Sequence, residues 1–156
     1  MGIVTPQQLN AYLGKPIGGI CRNGYDNDAD NHGAHFVSHA MSYGFGTTCL
    51  AMRFRGNQPG ATIWIHDIFA RCPTVGTWAS RPATLTSCLV FITRADIVNL
   101  ATKVIAKVAT KHVGIHVSGV IWHYSNVQRK VVQQTADQFS HHYPSPDNAM
   151  FYGSLP

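Results

Sequence analysis

The 156-residue chain lacks a long apolar run, a paired-cysteine motif and an internal repeat, and each absence excludes a class of protein. Because no apolar run approaches the ~20 residues that span a bilayer, membrane insertion is not expected. The N-terminus lacks the basic flank and apolar stretch of a secretory signal, so we expect synthesis in the cytoplasm. The four cysteines show no C-x-x-C spacing. This argues against a cysteine-based zinc site and favours buried free thiols, with one or two disulfides as the alternative.

The net charge of +5 reflects a scarcity of acidic residues rather than an abundance of basic ones. Seven Asp and Glu side chains stand against twelve Lys and Arg, which are scattered along the chain. A nucleic-acid groove requires clustered basic residues, whereas a diffuse positive charge suits an anionic surface such as a cell wall. We therefore expect no nucleic-acid partner.

The pattern of caps and apolar residues predicts a single α+β domain over residues 1–156, with helices first and a strand meander after them. The segment Thr5-Pro-Gln-Gln8 is typical of a capping box and predicts a short helix that ends near Gly14. Asn31 is a good cap for a second helix, which should end near Gly44.

The second half of the chain carries the clearest strand signals. The stretch HVGIHVSGVIWHYS, residues 112–125, predicts a β-hairpin that turns at Ser118-Gly119. In its first strand Val113 and Ile115 should face one way and His112 the other. Residues 97–108 have helical spacing, although a long loop would also fit them. The remaining predictions are strands at 89–93, 130–134 and 149–152 and short helices at 65–70 and after residue 135.

The nine histidines raise the question of a metal site. His35 and His39 would share one face of a helix, as zinc-binding pairs do, but the Glu of H-E-x-x-H is absent and no Cys or carboxylate ligand is near in sequence. On the predicted strand His112 and His116 would stand roughly 13 Å apart at ~3.3 Å per residue, too far to chelate one ion. We therefore expect no metal and no cofactor. The histidines expected to be surface or half-buried are His32, His66, His141 and His142.

A different interpretation of the histidines is nucleophilic catalysis, which depends on the order of the elements. A helix N-terminus is followed by a strand that opens with His112, and the adjacent strand carries His123. At a helix N-terminus, the macrodipole and the free backbone N–H groups lower the pKa of a cysteine to roughly 3.5–7.5 when a histidine lies nearby. The histidine then acts as base and acid, and a third group fixes its ring.

Three segments resemble the NlpC-type peptidoglycan endopeptidases, which have a papain-like fold. The segment HVGI at 112–115, followed by VIWHYS at 120–125, is similar to their catalytic-histidine strand and the strand after it. The segment NHGAHFV at 31–37 is similar to the D-C-S-G-F-V start of their catalytic helix, and SCLVFI at 87–92 resembles their G-D-L-V-F-F strand. In the helix motif, Gly33 falls on the position of the nucleophilic cysteine.

The resemblance implies an α+β, papain-like NlpC-type fold with N-terminal helices packed on an antiparallel sheet. It also implies that His112 is the general base and that His123 orients it. Tyr25 and the backbone N–H of Gly33 would then lie near the oxyanion, and His35 would line the cleft as a substrate-binding residue.

The implied activity is hydrolysis of amide bonds in the peptide stems of bacterial peptidoglycan through a thioester, without a cofactor. Because glycine has no side chain, the chain as written is expected to be inactive. It would be an inactivated variant or a natural pseudoenzyme that binds the wall or a partner, with a displaced nucleophile at Cys21 or Cys49 as a further alternative. Small domains of this kind resemble phage wall hydrolases and antibacterial type VI effectors. This second resemblance implies action at the cell wall or periplasm, including that of a target cell, and leaves a cognate immunity or inhibitor protein open as a partner.

Overall fold

A six-stranded antiparallel sheet lies at the centre of the protein, in a computed structural model that describes residues 4–53, 60–108 and 110–156. The strands are Val75–Thr77 (β1), Ser87–Arg94 (β2), Val98–Asn99 (β3), Val104–Ile105 (β4), Lys111–Val117 (β5), Val120–Ser125 (β6), Lys130–Thr135 (β7) and Asn148–Gly153 (β8). The order across the sheet is β1-β8-β2-β5-β6-β7, and β3 pairs with β4 separately. This architecture agrees with the expected α+β class.

The described residues contain six short helices. They are Pro6–Asn10 (α1), Ile17–Ile20 (α2), Gly33–Met41 (α3), Cys49–Arg53 (α4), Ile65–Arg71 (α5) and Ala136–Ser140 (α6). The capping boxes predicted at Thr5 and Thr135 are both present, because each threonine accepts from the N3 backbone and each N3 glutamine reaches back. Within the described residues, no helix is long and apolar enough to span a membrane.

Helix α3 packs against β5 and β6 and forms the main core with them. Phe36 and Val37 are completely buried there, together with Val113 and Ile115 of β5 and Trp122 of β6. This confirms the predicted packing of the helix on an antiparallel sheet that contains the strands at 88–93, 112–118 and 120–125, and the main contacts are with the second and third of these. On the opposite face of the sheet, α6 covers a smaller apolar cluster.

The predicted hairpin is confirmed in its turn and in its alternation. Ser118 and Gly119 have φ values of 49° and 89°, and Val117 pairs with Val120 across the turn. Left-handed backbone at both central residues is what a two-residue hairpin needs to follow the twist of its strands. The alternation places Val113 in the main core and His112 on the other face, against α6.

Several predicted elements differ from the structure. The segment with helical spacing, residues 97–108, forms a 3₁₀ turn at Ala95–Ile97 and the short β3–β4 ribbon. Lys103 has a φ of 57°, which α-helical backbone does not allow, so the chain turns there between the two strands. The predicted loop before α3 contains α2, and α1 and α3 are shorter than the sequence suggested.

Candidate functional site

The N-terminus of α3 meets the first residues of β5, and Gly33 and His112 lie in direct contact there. A Cβ atom built on Gly33 would lie 2.8 Å from both Nδ1 and Cε1 of His112. Both residues are buried. The structure therefore brings together the proposed nucleophile position and the proposed base, although 79 positions separate them in sequence.

A row of hydrogen bonds leads away from this contact. His112 Nε2 lies 3.0 Å from His123 Nδ1, and His123 Nε2 lies 2.6 Å from Gln134 Oε1. With the oxygen of the Gln134 amide facing His123, Gln134 accepts from His123 Nε2–H. His123 Nδ1 then carries no proton and accepts from His112 Nε2–H. The lone pair of His112 is then on Nδ1, the nitrogen that faces residue 33.

The sheet explains how this row forms. β6 pairs with β7 in a register that sets Ile121 opposite Gln134 and Val132 opposite His123, so His123 and Gln134 are diagonal neighbours on one face. The registered pairs between β5 and β6 stop at Ile115 and Trp122. His112 lies beyond the end of that ladder.

Burial holds both imidazoles in the neutral form. Desolvation lowers the pKa of His123 to about 4, and it holds the pKa of His112 well below its usual range. The neighbouring histidines act in the same direction, because a positive charge on one would repel a charge on the next. His142 stacks on His112 with ring centroids 4.1 Å apart and planes 3° from parallel. His112 is therefore a neutral base at pH 7, with an unpartnered Nδ1 among the described residues.

Two cavities adjoin the contact between α3 and β5. The larger, of about 690 Å³, is lined by His112, His123, Gln134 and His142 among others. The smaller, of about 320 Å³, is lined by Tyr25, Trp64, Lys107 and Lys111 among others. Asp30 and Asn31 line both cavities, so the residues just before α3 lie between two places that could hold parts of one extended ligand.

The backbone N–H of Gly33, which was expected to lie near the oxyanion, is hydrogen-bonded to the side chain of Asn31. Its Oδ1 accepts from the N–H of Gly33 at 2.9 Å, and its Nδ2 donates to the carbonyl of Lys111 at 2.8 Å. This corrects the expectation of an open N–H at residue 33. The asparagine that was predicted as a helix cap instead ties the helix start to β5, and its side chain would have to turn away before that N–H could bind an oxyanion.

Tyr25 and His35 lie together, away from His112. The Tyr25 ring is 5.3 Å from the ring of His35 and 5.7 Å from that of His32. His35 was expected to bind substrate beside residue 33, and the structure corrects this. Two residues correspond to about 200° on an α-helix, so His35 points to the opposite face from Gly33. Tyr25 still lines the smaller cavity, which keeps it at the edge of the site.

Sequence reasoning missed several neighbours that the fold supplies. His142 was expected to be an ordinary half-buried residue but stacks on His112. His32 was expected near the surface and is completely buried against His35. Cys21 and Cys49 belong to segments far from His35 in sequence, and the fold places them beside it. Only long-range packing brings His142 to His112, and Cys21 and Cys49 to His35.

Comparisons of the chain with protein-family models, with curated proteins and with solved structures found no match. The functional argument therefore depends on the geometry of the site and on the resemblance of its motifs.

Proposed function

We propose that this protein is an NlpC-like, papain-fold peptidoglycan amidohydrolase in which Gly33 occupies the position of the nucleophilic cysteine. The observation that carries the proposal is the proximity of residue 33 to His112: a Cβ built on Gly33 would lie 2.8 Å from Nδ1 of the imidazole, so a cysteine fits there once the His112 ring moves back. A cysteine there would stand at the first residue of a nine-residue helix, next to a neutral imidazole. These are the two features that activate a thiol.

The chemistry follows from the roles of these groups. His112 Nδ1 would take the proton of a thiol at residue 33, and the sulfur would attack the carbonyl carbon of an amide. The C–N bond breaks as His112 returns the proton to the leaving amine, and a thioester remains. Water, deprotonated by the same imidazole, then cleaves the C–S bond and leaves a carboxylate. His123 and Gln134 keep the basic nitrogen of His112 turned toward the reacting atoms.

The charge around the site suits a peptide stem with free carboxylates. Lys107 and Lys111 line the smaller cavity, and the chain carries a net charge of +5. A stem bound across the start of α3 could direct one end to these lysines and the other toward the larger cavity. The diffuse positive charge would attract the anionic wall from a distance.

Without a thiol at residue 33, the first step has no nucleophile, so the chain as written should bind but not cut. An inactivated variant of an enzyme and a natural wall- or partner-binding pseudoenzyme both agree with this geometry. The intact row from His112 to Gln134 favours the first, because a binding protein does not need a base with a set tautomer. As an enzyme, the protein would act at the bacterial cell wall or periplasm, as a phage lysis enzyme or an antibacterial effector.

The test is to restore the nucleophile. Purified Gly33→Cys protein should release new peptide termini from muropeptides, measured by liquid chromatography and mass spectrometry, while the original chain should release none. The matched controls are Gly33→Ala, which adds the Cβ without the sulfur, and the double variant Gly33→Cys/His112→Ala, which lacks the base. Both controls should be inactive.

One result would decide against the enzyme, and another would decide against His112 as its base. If Gly33→Cys folds, as shown by circular dichroism and by its melting temperature, yet leaves muropeptides intact, the scaffold is not that of a cysteine amidase. If the original chain then binds muropeptides in calorimetry, the pseudoenzyme is the better description. If the cutting by Gly33→Cys survives in the double variant, His112 is not the base.

The same histidines could instead hold a catalytic metal, because ligand atoms of His112, His123 and His142 lie within 4.8 Å of one another. Two observations favour the cysteine mechanism. His112 Nε2 and His123 Nδ1 are hydrogen-bonded to each other at 3.0 Å, and the parallel stacking of His142 on His112 does not direct their lone pairs to one point. Chelator-sensitive hydrolysis by the original chain would favour the metal.

A further inference from the structure

We propose that Cys21, His35, His39 and Cys49 form a zinc-binding site on the face of α3 opposite Gly33. One ligand atom from each of the four residues lies within 4.8 Å of the other three. Two cysteines and two histidines are a donor set that tetrahedral structural zinc uses. This inference is independent of the proposed activity and replaces the expectation that the chain holds no metal.

The spacing of the ligand atoms matches a zinc tetrahedron. Zn–S bonds of about 2.3 Å place two sulfurs about 3.8 Å apart at a tetrahedral angle, and Zn–N bonds of about 2.0–2.1 Å place sulfur and nitrogen about 3.6 Å apart. Cys21 Sγ and Cys49 Sγ are 3.7 Å apart. Cys49 Sγ lies 3.9 Å from His39 Nε2. All four ligand atoms lie within 4.8 Å of one another, so an ion at the centre would draw the more distant ones inward by up to about 1 Å.

A second row of hydrogen bonds prepares His35 as a ligand. The carbonyl of Asn27 can only accept, so His32 donates to it from Nε2–H at 2.7 Å and keeps a lone pair on Nδ1. His35 Nδ1, which lies 3.1 Å from that nitrogen, must then carry the proton and donate. The lone pair of His35 is thereby fixed on Nε2. A zinc-bound histidine usually donates its other N–H in the same way.

The Nε2 atom of His35 is the observation that points most directly to an ion. The residue is completely buried, and Nε2 has no hydrogen-bond partner in the described parts of the chain. A buried acceptor without a partner costs free energy, so native structures normally satisfy it. A zinc ion between this atom and the two sulfurs would do so.

Cys49 is surrounded as a coordinating thiolate would be. Its sulfur accepts from Asn23 Nδ2–H at 3.3 Å and from the backbone N–H of Ala61 at 3.2 Å. The thiol of Cys21 also donates to it, with the two sulfurs 3.7 Å apart. A thiolate, not a thiol, binds zinc. Metal binding would displace the Cys21 proton and leave both sulfurs as ligands.

The site is closed, which favours a structural role. Cys21, Cys49 and His35 are buried, and His39 is only partly exposed. The ligands come from the segment after α2, from α3 and from the start of α4. Apart from the ligands, the local apolar cluster contains only Ala61, Ile63 and Tyr25 among the described residues, and a metal would stabilise this small cluster. Because Cys49 is buried in this closed site, a substrate cannot reach its sulfur, which argues against Cys49 as a displaced nucleophile.

The test is zinc content and cobalt spectroscopy of the full chain. Protein purified from zinc-supplemented cells should carry one zinc per chain by mass spectrometry of metals. Cobalt replacement should give the intense visible bands of a tetrahedral ion and a sulfur-to-cobalt charge-transfer band. Removal of the metal with a chelator should lower the melting temperature, and zinc should restore it.

Variants assign the ligands. Cys49→Ala and His39→Ala should lose the metal, whereas Cys88→Ala should keep it. Cys88 is the matched control because it is another buried cysteine, with its sulfur 3.9 Å from His116 Nδ1. His32→Ala, which removes only the orienting partner, should weaken zinc binding about 10–100-fold. His112→Ala should keep the zinc, which separates this site from the histidines of the candidate active site.

Three results would overturn the proposal. The chain could carry no zinc after incubation with excess metal, its zinc could persist in His39→Ala, or mass spectrometry of the native chain could show a Cys21–Cys49 disulfide. Since the wild-type stoichiometry and the cobalt spectrum need no substitution, the test stands even if Cys49→Ala fails to fold.

Discussion

Acid should destabilise this protein well above the pH at which ordinary carboxylates titrate, because it buries neutral imidazoles. A histidine in the unfolded chain has a pKa near 6.5, whereas burial lowers the pKa of His123 to about 4. Between these values the unfolded chain binds more protons than the folded one, so the free energy of unfolding falls as the pH falls. The stability that depends on a neutral His123 is fully present above about pH 6.5 and is lost as the pH falls toward 4.

The size of the effect follows from the same two values. For His123 alone, the difference in proton binding removes about 2 kcal/mol between pH 7 and pH 5. His112 adds to the loss, because its pKa is also lowered by burial. Domains of this kind are stable by only about 5–15 kcal/mol, so the change should be easy to measure.

The assay is urea unfolding at pH 7, 6 and 5, followed by tryptophan fluorescence. The urea midpoint should fall steeply as the pH is lowered in the original chain, and less steeply in His123→Gln. His141→Gln is the matched control, because it removes an exposed imidazole. A midpoint that does not change between pH 7 and pH 5 would refute the reasoning. So would an equal slope in His123→Gln, since the protons would then bind elsewhere.

Three further substitutions test the packing around the sites. Tyr124→Phe should cost about 1–3 kcal/mol in chemical unfolding, because the buried N–H of Ile17 donates to that hydroxyl at 3.1 Å. The buried hydroxyl of Tyr43 has no hydrogen-bond partner in the described residues, so Tyr43→Phe should be neutral or stabilising. An equal loss of stability in Tyr124→Phe and Tyr43→Phe would contradict the argument. Gly114→Ala should cost about 1–3 kcal/mol in the same assay, since its Cβ would lie 2.7 Å from Ile121 Cγ2. An alanine variant as stable as the original chain would show that the two strands can separate there.

The sequence predicted correctly those features that depend only on neighbouring residues. The capping boxes, the hairpin turn and the alternation along β5 each depend on residues within a few positions of one another, and all three are present. The segment at 97–108 was ambiguous because its apolar spacing fits a helix, and the left-handed residue Lys103 leaves no signature that would exclude one.

The sites were predictable only in part, for a related reason. The motifs suggested that residue 33 and His112 belong together, and the structure places them in contact. The hydrogen bond from Gly33 N–H to Asn31 is local and agrees with the capping preference of asparagine, whereas no sequence pattern indicated that Cys21 and Cys49 would join His35 or that Asn31 would reach the carbonyl of Lys111. These long-range contacts join segments whose separation in the chain carries no motif, so only the packing of α3 on the sheet reveals them.

The position of β8 has a consequence for how the chain folds during synthesis. This strand is the last in the sequence, yet it lies between β1 and β2 inside the sheet. Until Gly153 has been made, β2 therefore presents an unpaired backbone edge, on which another chain could pair and aggregate. In this topology the sheet is completed only after residues 148–153 have been made, and until then the edge of β2 is the surface that a chaperone would have to cover.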